Sequence, residues 1–149
     1  MTGSNHVVAG ALIATAVTQP AAAIPLALAS HFVMDALPHY GDTDKHSWLN
    51  RNFKYVLLTD ALIGVSFMAA LIIFQPAGWV LMVACALAAV APDGIWLPHY
   101  LATLRGEHRE QGMFTRFSKW IQWGERPWGI YIEAVVFAGL LAVFIQTVS

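Results

Sequence analysis

The chain has 149 residues, enough for one domain, and 58% of them are hydrophobic while only 11% are charged, against about 25% charged in soluble proteins. A soluble fold of this size cannot hide so much apolar surface, so lipid is expected to be part of its solvent. The formal net charge of −1 comes without a basic stripe, which argues against a nucleic-acid partner. The single cysteine, Cys85 in an apolar run, rules out a disulfide framework or a thiolate metal site.

The first apolar segment, residues 6–18, opens with His6 after the N-cap-like pair Ser4-Asn5. No Lys or Arg precedes Lys45, so this segment lacks the basic start of a signal peptide and reads as a retained helix. Gln19-Pro20 marks a turn. Residues 21–37 follow, with Pro25 placed in the first turn, where its missing N–H costs little. Both segments are short for a span of about 20 residues. They read as a transmembrane hairpin, a tilted pair or a re-entrant element.

Residues 38–54 are polar. Residues 55–74 read as a full span, Gln75-Pro76-Ala77-Gly78 as a tight turn, and residues 79–97 as the return span. Within the polar stretch 98–127, Met113, Phe114, Phe117, Trp120, Ile121 and Trp123 recur at helical spacing beside Arg116 and Lys119. That pattern predicts an interfacial amphipathic helix over 112–123. Residues 128–148 form the last apolar segment, with Trp128 and Tyr131 at headgroup level. The expectation is an all-α integral membrane bundle of four to five transmembrane helices plus one interfacial helix.

All eight Lys and Arg residues fall in the two polar stretches 38–54 and 98–127. Two spans separate these stretches, so they share a side, and Lys and Arg near span ends mark the cytoplasmic side. The expected location is the cell's inner membrane. If the first two segments both cross, His6, His31, Asp35, His39, Asp60, Asp93, His99 and Glu133 all arrive at cytoplasmic helix ends. Polar groups at that depth are costly and usually functional.

His31 and Asp35 are four residues apart and share a helical face. Pro38 ends the helix and frees His39 to turn back. Imidazole and carboxylate at this spacing form a natural divalent-metal chelate; a capping histidine with a snorkelling aspartate is the plainer alternative. A looser copy, Asp93 to Pro98-His99-Tyr100, closes a later apolar run. Asp60 lies inside a span, where a metal, a protonated His or a tyrosine would offset its desolvation; the plainer alternative is a hydrogen-bonded packing acid.

Metal ligands are therefore sought among His6, His31, Asp35, His39, Asp60, Asp93 and His99, with Asp35, Asp60 and Asp93 as candidate water activators. Glu133 and His46 are placed behind them, as supporting groups. Imidazole and carboxylate without thiolate suit Zn²⁺ or Mn²⁺. Seven ligands are enough for one or two ions, which activate water and clamp the leaving oxygen of a phosphoester.

The motif His31-x3-Asp35-x2-Pro38-His39, with an early His6, a later Pro92-Asp93 and a small multi-span layout, resembles the membrane-bound metal-dependent hydrolases of bacterial inner membranes. The resemblance implies metal-dependent hydrolysis, and the site and topology together make a lipid or lipid-linked phosphoester the expected substrate, at a site open to the cytoplasmic face. It also implies a His-rich loop, for which His46-Ser47 is the counterpart, lacking the preceding His-Arg-Gly of such loops. The alternatives are an ion-, metal- or proton-handling protein and a scaffold whose polar groups cement helices.

Overall fold

The structure, a computed structural model, describes residues 1–41, 51–107, 110 and 112–149. It is mostly helical. In chain order it comprises α1 (Gly3–Ala16), α2 (Pro20–Asp35), a two-residue strand β1 (His39–Tyr40), α3 (Arg51–Phe74), α4 (Trp79–Val90), a 3-10 segment (Ala91–Ile95), α5 (Leu97–Leu104), α6 (Met113–Ile121), β2 (Glu125–Arg126) and α7 (Gly129–Val148).

Three helical stretches are long and apolar enough to cross a membrane: Arg51–Phe74, Trp79–Leu104 and Gly129–Val148. This makes the chain a plausible membrane protein. The helices at 6–18 and 21–37 form, shifted to Gly3–Ala16 and Pro20–Asp35, but fall below spanning length. The 14 residues of α1 measure about 21 Å at 1.5 Å per residue, against about 30 Å of hydrocarbon. Because α2 starts at Pro20, Pro25 lies inside it rather than in its first turn, on an exposed face. The return span stops being α-helical at Val90, where Pro92 removes a backbone donor and the chain tightens into the 3-10 segment that carries Asp93.

Helix α1 is the centre of the bundle and packs against α2, α3, α4 and α7. Ser4 through Ala11 are all buried. Small residues permit this. A Cβ on Gly10 would overlap the Cys85 carbonyl oxygen and lie 2.8 Å from Ala89 Cβ, so α1 and α4 meet backbone to backbone, as small residues allow in membrane helices. Val8, Ala11, Cys85, Ala86 and Ala89 complete that contact.

The start of α1 is satisfied by side chains from other helices. The first N–H groups of a helix have no internal partner, and Thr2 provides no side-chain cap. Instead Gly3 N–H and Ser4 N–H donate to Oδ2 and Oδ1 of Asp60 on α3, both at 2.8 Å, and Thr2 N–H donates to Oε1 of Glu133 on α7 at 3.0 Å.

Strands β1 and β2 pair in parallel, His39 opposite Glu125 and Tyr40 opposite Arg126. This short ladder ties the end of α2 to the start of α7. Gly129 lies so close to the ladder that a Cβ would overlap the His39 carbonyl. Helix α6 forms as its pattern predicts. Phe114 and Phe117 meet Phe32 of α2 at ring-centroid distances of 6.1 and 5.6 Å, and Met113 and Trp120 are exposed.

Candidate metal centre

Four of the sequence-selected groups converge at the α1–α2–α4 junction. His6 comes from the first turn of α1, His31 and Asp35 from the last two turns of α2, and Asp93 from the 3-10 segment after α4. His6 Nε2 lies 3.1 Å from Asp35 Oδ1, and His31 Nε2 lies 3.2 Å from Asp35 Oδ2. Asp93 Oδ1 is 3.9 Å from the same His31 nitrogen. The two imidazoles stack with centroids 4.1 Å apart. His6, His31 and Asp93 each offer one ligand atom, all within 4.8 Å of one another, so the three could hold a metal ion.

The second nitrogen of His31 sets its chemistry. Nδ1 is 2.8 Å from the carbonyl oxygen of Ala89, which can only accept, so Nδ1 carries the hydrogen. In neutral His31 the Nε2 atom is then a bare lone pair facing two carboxylates. A lone pair and a carboxylate at hydrogen-bonding distance repel unless a positive charge lies between them. A backbone carbonyl on the far nitrogen is the usual support for a ligating histidine. His6 Nδ1 is buried with no hydrogen-bond partner among the described residues. Two imidazoles and a carboxylate without thiolate are a donor set that a divalent ion can use, and His6, His31 and Asp93 could hold one.

Asp35 is saturated. Besides the two histidines, Oδ2 accepts from Gln122 Nε2 at 3.2 Å and Oδ1 faces the Met1 amino group. Asp35 is 2% exposed at its side chain, whereas Asp93 is 25% exposed. Asp93 is thus the carboxylate of this group with access to the cavity beside it.

The remaining sequence-selected residues are placed around this group. Asp60 is engaged by two amides of α1, and Gly3 lies between it and Asp93: a Cβ there would be 3.2 Å from Asp60 Oδ2 and 3.7 Å from Asp93 Oδ2. His39 lies on β1, its Nδ1–H donating to the Leu37 carbonyl at 2.7 Å and its Nε2 3.9 Å from Glu125 Oε1. Burial holds the His39 imidazole below its ordinary value, and burial likewise pushes the Glu125 carboxyl up. His99 on α5 has its Nε2 3.4 Å from Thr115 Oγ1. Glu133 sits on the far side of the start of α1, where Oε1 also accepts from Tyr40 N–H at 3.3 Å. Its Oε2 is buried without a partner among the described residues. His46 lies outside the described residues.

Three partners had no sequence signal. Gln122 is one more polar residue at the end of an amphipathic helix, the Ala89 carbonyl is backbone, and Asn5 was read only as part of a cap. Asn5 Nδ2 in fact donates to Thr2 Oγ1 at 2.9 Å and to the Glu133 carbonyl at 3.4 Å.

A cavity of about 1030 Å³ adjoins the group and is lined by His31, Asp93, Asp60, His39, His99 and Gln122 among others. Helix α6 roofs it with Thr115, Ser118, Lys119 and Gln122, the i, i+3, i+4, i+7 stripe of one helical face. Comparison with protein-family models, curated proteins and solved structures finds no match.

Proposed function

We propose that this chain is a membrane-embedded, metal-dependent hydrolase, with a divalent ion held by His6, His31 and Asp93. The observation that carries the reading is His31: its Nδ1–H is committed to a backbone carbonyl, and its Nε2 faces Asp35 and Asp93, a contact that only a positive charge makes favourable. An ion held by these residues would supply a water of lowered pKa and would polarise the oxygen of a phosphoester or similar bond. In the hydrolysis, water's hydroxyl joins the phosphorus, the ester P–O bond breaks, and the proton goes to the leaving oxygen.

The chain's own groups have distinct tasks in this scheme. Asp35 accepts from His6 Nε2–H and orients that imidazole, the Ala89 carbonyl orients His31, and Gln122 holds Asp35 from the α6 side. Asp93 faces the cavity and is the carboxylate positioned to accept a proton from water. Asp60 keeps the first turn of α1, and with it His6, against α3. The roof formed by α6 limits water entry and lies at the membrane interface.

The resemblance to bacterial inner-membrane metal-dependent hydrolases belongs to this proposal, as does an orientation with the site toward the cytoplasm. The β1–β2 ladder supports that orientation, because it brings the two cation-bearing stretches to one end of the bundle. Helices α1 and α2 then act as a short hairpin, with α1 buried at the centre and α2 covering it with one face, rather than as two independent spans.

A second reading has its own support. Asp35, Asp60 and Glu133 each accept hydrogen bonds from a different segment, as a scaffold of polar cement requires, and a proton on His31 would satisfy the same geometry as a metal. Metal analysis of detergent-purified protein separates the two. Stoichiometric metal, lost in His31→Ala and Asp93→Ala, with hydrolysis of a phosphoester panel, supports the hydrolase. Folded protein that binds neither Zn²⁺ nor Mn²⁺ refutes it.

A further inference from the structure

The cavity does not end at the polar groups. Beyond Asp60 it continues along α3 past Ala61, Gly64 and Val65 to Met68, with Leu87 and Val90 of α4 as the facing wall and Val7 of α1 in the floor. The eight residues from Asp60 to Met68 correspond to about 12 Å along the helix axis. One leaflet of hydrocarbon is roughly 15 Å deep, half of about 30 Å. The channel is therefore polar at one end and apolar for close to one leaflet's depth at the other. Its rim is open: Val65 is 65% exposed and Leu87 54% exposed. Both walls belong to helices long and apolar enough to span a membrane, so the rim faces lipid.

We propose that this groove between α3 and α4 seats the acyl chain of a bilayer lipid, entering sideways through the rim, with the lipid's polar ester brought to His31 and Asp93 under the α6 roof. Lys119 lines the same polar end and supplies a cation for an anionic headgroup. The apolar part needs no desolvation, because the chain moves from lipid to an apolar wall. What the groove provides is register: a chain held against Met68 places its ester near Asp60 and Asp93. The substrate class is thus a single-leaflet amphiphile with a chain at least as long as the groove. The role of the polar end rests on the hydrolase reading; the seating of the chain does not.

The test uses the full chain in vesicles of phosphatidylethanolamine and phosphatidylglycerol, doped with a phospholipid carrying a photoreactive diazirine midway along one acyl chain. Mass spectrometry after irradiation compares labelling of Val65, Met68 and Leu87 with labelling of Val143 and Ile145, lipid-facing positions on α7. The expected groove-to-α7 ratio is several-fold above one. It falls toward one in Ala61→Trp and independently, read at Val65 and Met68 alone, in Leu87→Trp, both at exposed positions where a bulky side chain fills the groove without entering the core. A ratio near one in the unsubstituted protein, or a high ratio that both variants leave unchanged, overturns the proposal. Metal content measured on the same samples keeps the two readings apart: groove labelling without metal sinks the hydrolase alone, and metal without groove labelling sinks the lipid seat alone.

Discussion

Nε2 of His31 lies 3.2 Å from Oδ2 of Asp35, and His31 has already committed its Nδ1–H to the Ala89 carbonyl. The pair is favourable only when one positive charge, a proton or a metal ion, is shared at that contact. Asp93 on the same nitrogen makes the demand stronger. An uncompensated carboxylate costs on the order of 2.5–3.5 kcal/mol at mid-membrane and less toward its edge, so such an arrangement has to be satisfied by something.

Ligand removal follows directly. His31→Ala and Asp93→Ala should abolish stoichiometric Zn²⁺ or Mn²⁺ binding. Asp35→Asn retains the shape but no longer orients the His6 imidazole as a charged acceptor, and should weaken affinity by about 10–100-fold, the usual effect of losing a ligand's supporting group. Titration calorimetry on detergent-purified protein measures all three. Full affinity in the Asp35 variant would remove its orienting role.

Gly10 tests whether the site depends on helix contact rather than on its ligands alone. Alanine there would overlap the Cys85 carbonyl, so α1 must move off α4, carrying His6 away from His31 and Asp93. Overpacking of this kind costs about 1–3 kcal/mol. Gly10→Ala should lower the melting temperature and the metal affinity together. Ala88→Gly, near the same interface but only partly buried, serves as the comparison.

Asp60 is expected to behave as a helix cap. Asp60→Ala leaves Gly3 N–H and Ser4 N–H without acceptors and should cost about 0.5–2 kcal/mol, the range for losing a capping side chain. Asp60→Asn keeps one acceptor oxygen and should fall between. Metal stoichiometry should persist in both variants, and its loss in Asp60→Asn would return Asp60 to the ligand set.

The strand pair sets a pH dependence of opposite signs. Burial holds His39 below its ordinary value of 6.5, so the unfolded chain takes up this proton first. Its contribution to stability is whole above pH 6.5 and is lost as pH falls toward the lower folded value. Glu125 is pushed above its ordinary 4.5, so its contribution is whole below pH 4.5 and is lost as pH rises through the folded value. His39→Gln should flatten the acid side of a melting-temperature profile near pH 6, and Glu125→Gln should raise the melting temperature at pH 7. A profile unchanged by either substitution would show that the β1–β2 pair does not set it.

Much was legible in the residues alone because it depends on local periodicity and solvent preference. Long apolar runs bounded by turn residues determined the three spanning-length helices. The i, i+4 spacing of His31 and Asp35 determined that they share a face, and helical recurrence of aromatics determined α6. Tertiary packing decided the rest. The burial of α1 at the centre follows from Gly10 meeting the α4 backbone, which no periodicity displays. Asp60 and Asp93 looked alike as carboxylates at span ends. Folding spent Asp60 on the open N–H groups of α1 and left Asp93 facing the cavity beside His31. That division depends on which helix end approaches which side chain, a relation between residues 56 or more positions apart, and long-range pairing of this kind has no signature in a single chain's local pattern.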